Sequence, residues 1–184
     1  MSQPTTFAIA LPDWFDAWQA GQPARYPEAE DRMRAAIELA RINVENGTGG
    51  PFGALVTDER GCLVAAGVNR VEPDTCSSAH GEIVALSLAQ ARLGTWNLAE
   101  HGALELATSC EPCAMCLGAI PWSGVKRLLC GATKRDAEVT GFDEGERIDD
   151  WIGMLNRRGI EVITGVLQPE GAAVLYDYAK RGSR

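Results

Sequence analysis

The amino-acid sequence predicts an α/β protein, a three-layer α/β/α sandwich built on a mixed five-stranded sheet. Short apolar runs typical of strands alternate along the chain with helical segments of about 10 to 15 residues, a pattern that favours layered α/β folds. The first two strands follow each other as a hairpin, so the sheet is expected to be mixed. With 184 residues, 46% of them hydrophobic, the chain is long enough to bury one core.

Residues 1–27 are expected to form an irregular N-terminal arm. This segment contains four of the nine prolines, and proline interrupts regular structure. Its aromatic side chains Trp14, Phe15 and Trp18 would pin the arm to the protein surface. The remainder, residues 28–184, is predicted to be a single domain.

The predicted elements of the first half begin with a helix after Pro27. Its apolar residues occur at i, i+3, i+4, i+7 and i+11, and Asn46-Gly47 ends it; they are Met33, Ala36, Ile37, Ala40 and Val44. Residues 51–56 and 62–66 predict the two strands of a hairpin. Residues 80–93 follow as a helix that is apolar around most of its circumference, so we expect it to be buried on nearly all sides.

The second half of the chain repeats this alternation. Three further strands are predicted at residues 104–108, 125–130 and 160–164. Three helices are predicted at residues 112–120, 146–158 and 169–180, the first with proline in its first turn. Five strands and five helices therefore cover most of the chain after the arm.

Charge and hydropathy exclude several classes of function. There are 25 acidic and 17 basic residues, a net charge of −8, whereas a nucleic-acid binder needs a surplus of Lys and Arg. No apolar stretch is long enough to span a membrane, and no basic region precedes the apolar stretch near the N-terminus, as a secretion signal requires. We therefore expect a cytoplasmic protein with no nucleic-acid or membrane partner. In that compartment a Cys-x-x-Cys pair favours metal binding or catalysis over a disulfide.

Three residues form a candidate metal site among the six cysteines and two histidines. Cys113 and Cys116 lie three apart at the start of a predicted helix, hence on one face, and a helix N-terminus lowers the pKa of a thiol. His80, at the start of another predicted helix, adds a third ligand. Three nitrogen and sulfur ligands fit a catalytic zinc that keeps its fourth position for water. A structural zinc or a redox Cys-x-x-Cys pair is the alternative.

Glu82 distinguishes these alternatives. Because it lies two residues after His80, its side chain points away from the shared ligand position but within reach of a water on the metal. Zinc lowers the pKa of such a water to about 7, and a nearby carboxylate can accept its proton. A His-x-Glu segment followed by Pro-Cys-x-x-Cys is the known signature of zinc nucleobase deaminases.

Four segments in the same order make the chain resemble the cytidine deaminase-like superfamily of zinc deaminases; they are residues 51–54, Asn69, residues 80–82 and residues 109–116. Within that superfamily, residues 116–122 and 141–144 are similar to bacterial guanine deaminases and related purine or triazine deaminases. The resemblance implies a cytidine deaminase-like fold, one zinc ion per chain and a homodimer.

The resemblance also implies roles for individual residues. His80, Cys113 and Cys116 would bind zinc, Glu82 would shuttle protons, and Glu144 would assist proton transfer to the leaving amine. The residues expected to contact the base are Phe52, Asn69, Gly81, Trp122 and Asp143. The family usually has alanine where this chain has Gly81. The aromatic residues could equally be core packing, and Glu144 could belong to a solvated acidic loop.

The function predicted in this way is zinc-dependent hydrolysis of a free nucleobase, with guanine giving xanthine and ammonia. The alternatives are a cytosine or cytidine deaminase, deamination of a triazine such as ammeline, and a transfer-RNA adenosine deaminase. The net charge argues against the last of these, because transfer RNA requires a basic groove. A zinc-stabilised interaction domain without activity is the alternative outside enzymes.

Overall fold

A five-stranded mixed sheet forms the centre of the computed structural model, which describes residues 4–182. The strands are β1 (Gly53–Thr57), β2 (Leu63–Val68), β3 (Glu105–Cys110), β4 (Arg127–Ala132) and β5 (Glu161–Ile163), in the spatial order β2-β1-β3-β4-β5. β1 pairs antiparallel with both β2 and β3, whereas β3–β4 and β4–β5 are parallel. All five strands occur where the sequence predicts them, which confirms the α/β class.

Helices cover both faces of this sheet. They are α1 (Phe15–Ala20), α2 (Ala29–Glu45), α3 (Gly81–Leu93), α4 (Ala114–Ser123), α5 (Lys134–Glu138), α6 (Trp151–Arg157) and α7 (Gln168–Lys180). Side chains alternate across β3 and β4, so that Leu106 and Leu128 pack with α3, α4 and α6. Ala107 and Leu129 face the opposite cluster, with α2 and α7. These two cores make the predicted three-layer sandwich.

The loops that carry the chemical motifs lie at one end of the strands. Because β3 and β4 are parallel, both terminate at this end of the sheet, and antiparallel β1 begins there. The segments before β1, after β2, and after β3 therefore meet, together with the first turns of α3 and α4. Ligand sites of open α/β sheets commonly lie beyond the carboxyl ends of parallel strands.

The structure departs from the predicted elements in three places. Residues 15–20 of the expected irregular arm form helix α1, which buries Phe15 and Trp18; residues 1–3 of the arm lie outside the described range. A short helix, α5, appears where none is predicted. The helix expected from residue 146 begins at Trp151, because the Asp150 carboxylate accepts a hydrogen bond from the Gly153 N–H at 3.1 Å and caps it there.

Within residues 4–182, none of the helices combines the length and the apolar character that crossing a bilayer would require.

Candidate active site

Two helix N-termini converge on the candidate metal cluster. His80 is the N-cap of α3 and Cys113 is the N-cap of α4, both with extended backbone. The Cys113 sulfur accepts a hydrogen bond from the Cys116 N–H at 3.5 Å and so caps the N-terminus of α4, whose first residue is Ala114. The positive ends of both helix dipoles therefore point toward the thiols and favour their anionic form.

The three side chains are spaced for one metal ion. The His80 Nδ1 atom lies 3.5 Å from the Cys113 sulfur and 3.6 Å from the Cys116 sulfur. All ligand atoms lie within 4.8 Å of one another. Tetrahedral zinc with bonds of about 2.3 Å to sulfur and about 2.0 Å to nitrogen requires a sulfur–nitrogen separation of about 3.5 Å. The donor set and its spacing therefore fit zinc.

The hydrogen bonds within the cluster shift the pKa values of all three side chains. A hydrogen bond from the Cys116 thiol, aided by His80 and opposed by burial, lowers the pKa of Cys113 to about 4. The same hydrogen bond to Cys113, together with burial, raises the pKa of Cys116. The pKa of His80 is raised mainly by its hydrogen bond to Cys113. One thiolate is thus available at neutral pH, as metal binding by cysteine requires.

Two buried carboxyl groups face the same cavity as the cluster. Glu82 is 6% exposed and Glu144 is 7% exposed. Burial is the main cause that raises the pKa of Glu82, followed by the charge of Cys113. Burial also raises the pKa of Glu144 to about 7, again with Cys113 as the second cause and Glu82 as the third. Paired acids with perturbed pKa values in a cleft are typical of acid–base sites.

The cavity itself has a volume of about 210 Å³. Aromatic rings form one wall: the centroids of Phe52 and Phe142 lie 4.8 Å apart edge to face, and Phe142 stacks on Tyr178 at 5.7 Å. The charged residues that line the cavity are acidic apart from His80; they are Glu72, Glu82, Glu111, Asp143 and Glu144. The cavity therefore suits a small, flat and uncharged or cationic molecule.

An ion pair holds the loop that carries Glu144. The Arg147 guanidinium donates to the Glu111 carboxylate at 2.8 Å and to the Pro112 carbonyl at 3.1 Å, and it stacks 4.5 Å from the Trp151 ring. The Ala114 N–H donates to the Glu144 carbonyl at 2.9 Å. The metal-binding loop and the Glu144 loop are thus joined directly. Sequence reasoning does not find Arg147, because its partner Glu111 lies 36 residues away with no periodic signal between them.

The structure brings most of the predicted site residues to this cavity. Phe52, Asn69 and Asp143 line it with the two carboxylates. Gly81 lies beside them as the buried first residue of α3; a β-carbon there would lie 3.3 Å from the Phe52 carbonyl oxygen, so an alanine would require that backbone to shift by a few tenths of an ångström.

Trp122 is the exception among the predicted base contacts. It lies nine residues after the Cys113 cap, about 13 Å along the helix axis, and its side chain is 76% exposed. It borders a surface groove with Trp96 instead of the cavity. The predicted contact between Trp122 and a base bound by the same chain is therefore wrong.

The profile of the cytidine and deoxycytidylate deaminase zinc-binding region matches residues 27–132, more than half of the chain. The chain belongs to this deaminase family. The matched segment of the deaminase includes all three residues of the metal cluster and Glu82, so the predicted zinc cofactor is confirmed.

Three proteins from other organisms are similar to this deaminase. A solved guanine deaminase from Nitrosomonas europaea is 46% identical, with 98% of this chain and 100% of that chain covered and a TM-score of 0.89. In a structure of that protein in complex with 2,6-diaminopurine, the sequence identity is 48%, with 96% of this chain and 94% of that chain covered and a TM-score of 0.89. The Bacillus subtilis guanine deaminase is 40% identical over 62% of this chain and 71% of its own length.

The third relative represents a different substrate class. The transfer-RNA-specific adenosine deaminase of Buchnera aphidicola is 31% identical over 80% of this chain and 91% of its own length. The resemblance and the fold predicted from sequence are thus confirmed by independent comparisons.

Proposed function

We propose that this deaminase is a zinc-dependent guanine deaminase, which hydrolyses free guanine to xanthine and ammonia. The observation that carries the proposal is one small acidic cavity in which the His80-Cys113-Cys116 cluster faces two buried carboxyl groups, Glu82 and Glu144. The likeness to the Nitrosomonas and Bacillus guanine deaminases supports the same substrate.

The reaction needs a nucleophile and two proton transfers. Zinc, when bound by the cluster, supplies the Lewis acidity that lowers the pKa of water to about 7. Overall, the amino-bearing ring carbon gains a bond to the oxygen of water and loses its bond to the amine, which departs as ammonia. One proton must reach a ring nitrogen and another the leaving amine.

Glu82 and Glu144 divide these proton transfers in our proposal. Glu82 takes the proton of the attacking water and delivers it to the ring nitrogen. Glu144 donates a proton to the leaving amine and regains one from the second proton of the attacking water, whose oxygen becomes the carbonyl oxygen of xanthine. Because burial raises the pKa of Glu144 to about 7, its acid form is populated near neutral pH, as a general acid requires.

Asn69 and Phe52 are proposed to hold the base. The Asn69 side-chain oxygen accepts hydrogen bonds from the N–H groups of Gly50 and Val71, both at 3.3 Å. Its Nδ2 group is then the one left to donate to an acceptor on the base. The Phe52 ring offers a flat apolar wall. We assign supporting contacts to the backbone of Gly81 and to the Asp143 carboxylate.

The cavity favours a free base over a nucleotide or a transfer RNA. Glu72 and Asp143, both exposed, place negative charge at its border. The net charge of the chain is −8, so phosphates would be repelled. A volume of about 210 Å³ is also smaller than the ~300 Å³ at which sites for drug-sized molecules begin. We therefore propose a small-molecule nucleobase substrate and no nucleic-acid partner.

A substrate panel tests this function. Zinc-loaded protein is incubated separately with guanine, guanosine, adenine, cytosine, ammeline and an adenosine-containing anticodon stem, and ammonia is measured. We expect release from guanine with stoichiometric xanthine. Release from cytosine alone, from ammeline alone or from the RNA alone would overturn the assignment, and so would equal release by Glu82→Gln protein that retains zinc.

We also propose that the chain forms a homodimer, as the family resemblance implies. Two large rings, Trp96 and Trp122, are 72% and 76% exposed beside a groove between α3 and α4. Exposed apolar surface of this kind marks protein interfaces. Sedimentation velocity is expected to show a dimer that Trp122→Glu converts to monomer, whereas Phe7→Glu, another exposed aromatic, has no effect. A wild-type monomer would contradict the proposal.

The remaining proposals concern location and domain organisation. We propose a cytoplasmic enzyme, since the six cysteines, all within residues 4–182, form no disulfide with one another, as a reducing compartment favours. We further propose that residues 28–184 form one zinc deaminase domain and that residues 1–27 are an N-terminal arm, whose described part packs on the domain through Phe15 and Trp18. Limited proteolysis should then release the arm before it cuts the domain; first cleavage inside residues 28–184 would argue against this division.

A further inference from the structure

Asn43 is a fully buried polar residue on the apolar face of α2. Its exposed fraction is 0%, and its neighbours on the buried face of α2 include Leu39 and Ala40. An amide buried without partners would cost free energy, so its hydrogen bonds must be accounted for. All of them go to segments that border the cavity.

The Asn43 side chain holds three points on two loops. Its Nδ2 group donates to the Gly50 carbonyl and to the Asn69 carbonyl, both at 2.9 Å. Its oxygen accepts a hydrogen bond from the Thr48 hydroxyl at 2.8 Å. One side chain therefore fixes the separation between the loop before β1 and the residue that follows β2.

Asn69 depends on this separation for the orientation of its own side chain. Gly50 contacts both asparagines. Its N–H donates to the Asn69 side-chain oxygen, and its carbonyl accepts a hydrogen bond from the Asn43 Nδ2 group. If Gly50 moved away, the Asn69 amide would lose one of the two donors that fix which of its atoms faces the cavity.

Gly49 shows how tightly the two loops are brought together. A β-carbon at this position would lie 1.9 Å from the Asn69 carbonyl oxygen and 2.7 Å from the Asn43 Nδ2 atom. Its φ of +153° is also one that residues with side chains rarely adopt. The close approach is therefore built into the backbone, and Asn43 closes it with hydrogen bonds.

The N-terminal arm adds an outer link to the same network. The Trp14 indole N–H donates to the Thr48 hydroxyl oxygen at 2.9 Å, and that hydroxyl in turn donates to Asn43. Thr48 is thereby held in the rotamer that serves Asn43.

We propose that Asn43 is a positioning residue for substrate recognition, which acts through Gly50 to present the Nδ2 group of Asn69 to the base. The inference rests on the base contact of Asn69 in the proposed function. It assigns Asn43 no contact with substrate or zinc.

Steady-state kinetics with guanine test the role of Asn43. Asn43→Ala is expected to raise KM about ten-fold, the scale of one misplaced hydrogen bond, with little change in kcat or bound zinc. Thr48→Val is expected to raise KM less, because it removes only the hydroxyl that orients Asn43. The matched control is Asn46→Ala on the exposed end of the same helix, where the side chain donates only to the Ile42 carbonyl; it should leave KM unchanged.

A double-mutant cycle with Asn69→Ala separates positioning from general loosening of the fold. If Asn43 acts through Asn69, the KM effect of Asn43→Ala falls below about two-fold once Asn69 is alanine, since coupled residues are not additive. Multiplying effects would overturn the inference. Should Asn43→Ala fail to fold in thermal unfolding, the same cycle with Thr48→Val decides.

The two proposals fail in distinguishable ways. If Asn69→Ala raises KM while Asn43→Ala and Thr48→Val do not, the positioning role is wrong and the base contact stands. If Asn69→Ala leaves KM unchanged, the base contact of the proposed function fails, and the positioning role fails with it.

Discussion

Replacing Glu144 by glutamine isolates the proton that we assign to the leaving amine. The two side chains have nearly the same shape, so no cavity opens at a position that is only 7% exposed. The backbone contact from the Ala114 N–H to the Glu144 carbonyl, at 2.9 Å, is independent of the side chain and remains. The substitution removes the ability to exchange a proton, together with the negative charge of the ionised fraction.

The expected loss follows from the place of Glu144 in the cavity. A positioned general acid contributes about 10²- to 10⁴-fold to rate, which at ~1.4 kcal/mol per ten-fold is a barrier increase of about 3–5 kcal/mol. We expect the loss in kcat, with KM for guanine nearly unchanged, because the proton moves only in the transition state. Glu82 cannot replace the lost acid fully, since in our proposal it already serves the ring nitrogen.

The assay compares Glu144→Gln with a control in the same loop. Glu146→Gln removes an acidic group that is exposed and should leave kcat within about two-fold, as surface changes usually do. Xanthine formation, zinc content and thermal unfolding are measured for each protein. A Glu144→Gln protein that retains zinc and turns over like the wild type would remove Glu144 from the mechanism.

Three further predictions concern stability and the metal. Burial alone would raise the pKa of Asp136, but hydrogen bonds from Thr133, Gln168 and Tyr176 hold that pKa below its usual value. The ionised Asp136 therefore stabilises the folded protein at pH values above the unfolded-state pKa of about 3.9. This contribution to the free energy of unfolding is lost as pH falls through the pKa that Asp136 has in the folded protein. The melting temperature of the wild type should therefore exceed that of Asp136→Asn at pH 7, with the gap closing on acidification; a gap that widens in acid would refute this. Leu129→Ala, at a fully buried position of β4, should lower the free energy of unfolding measured by urea titration by about 2–5 kcal/mol. The control Val139→Ala, at an exposed position, should change that free energy by no more than ~0.5 kcal/mol. Equal losses would contradict the assigned core. Chelation should abolish xanthine formation and lower the melting temperature, and added zinc should restore both; full activity after the metal is removed would exclude the proposed chemistry.

The sheet and the metal cluster were predictable because both depend on local spacing. Cys113 and Cys116 lie within one helical turn, and apolar runs of four to six residues bounded by turn residues favour strands. His80 was found because it begins a helix of its own. Such signals need only neighbouring residues, so they survive without knowledge of the fold.

Other parts of the site depend on contacts that have no local signature. Asn43 meets the Asn69 carbonyl across 26 residues, and on a helical wheel it is simply a polar residue on an apolar face. Trp122 was misplaced because a segment similar to known deaminases does not state which end of the helix faces the cavity. Helix α5 could have been found, since Thr133 and Asp136 form a capping box that is visible in the sequence.

The walls of the cavity come from the family-wide segment and from the sequence that follows it. The family-wide segment, residues 27–132, supplies the zinc cluster and Glu82. Glu144 and Tyr178 border the cavity from beyond that segment, and Trp14 reaches its supporting loop from before it. Changes in the sequence after residue 132 would therefore reach one of the two proposed proton-transfer groups and one aromatic wall of the cavity, while the zinc ligands and Glu82 stay in place.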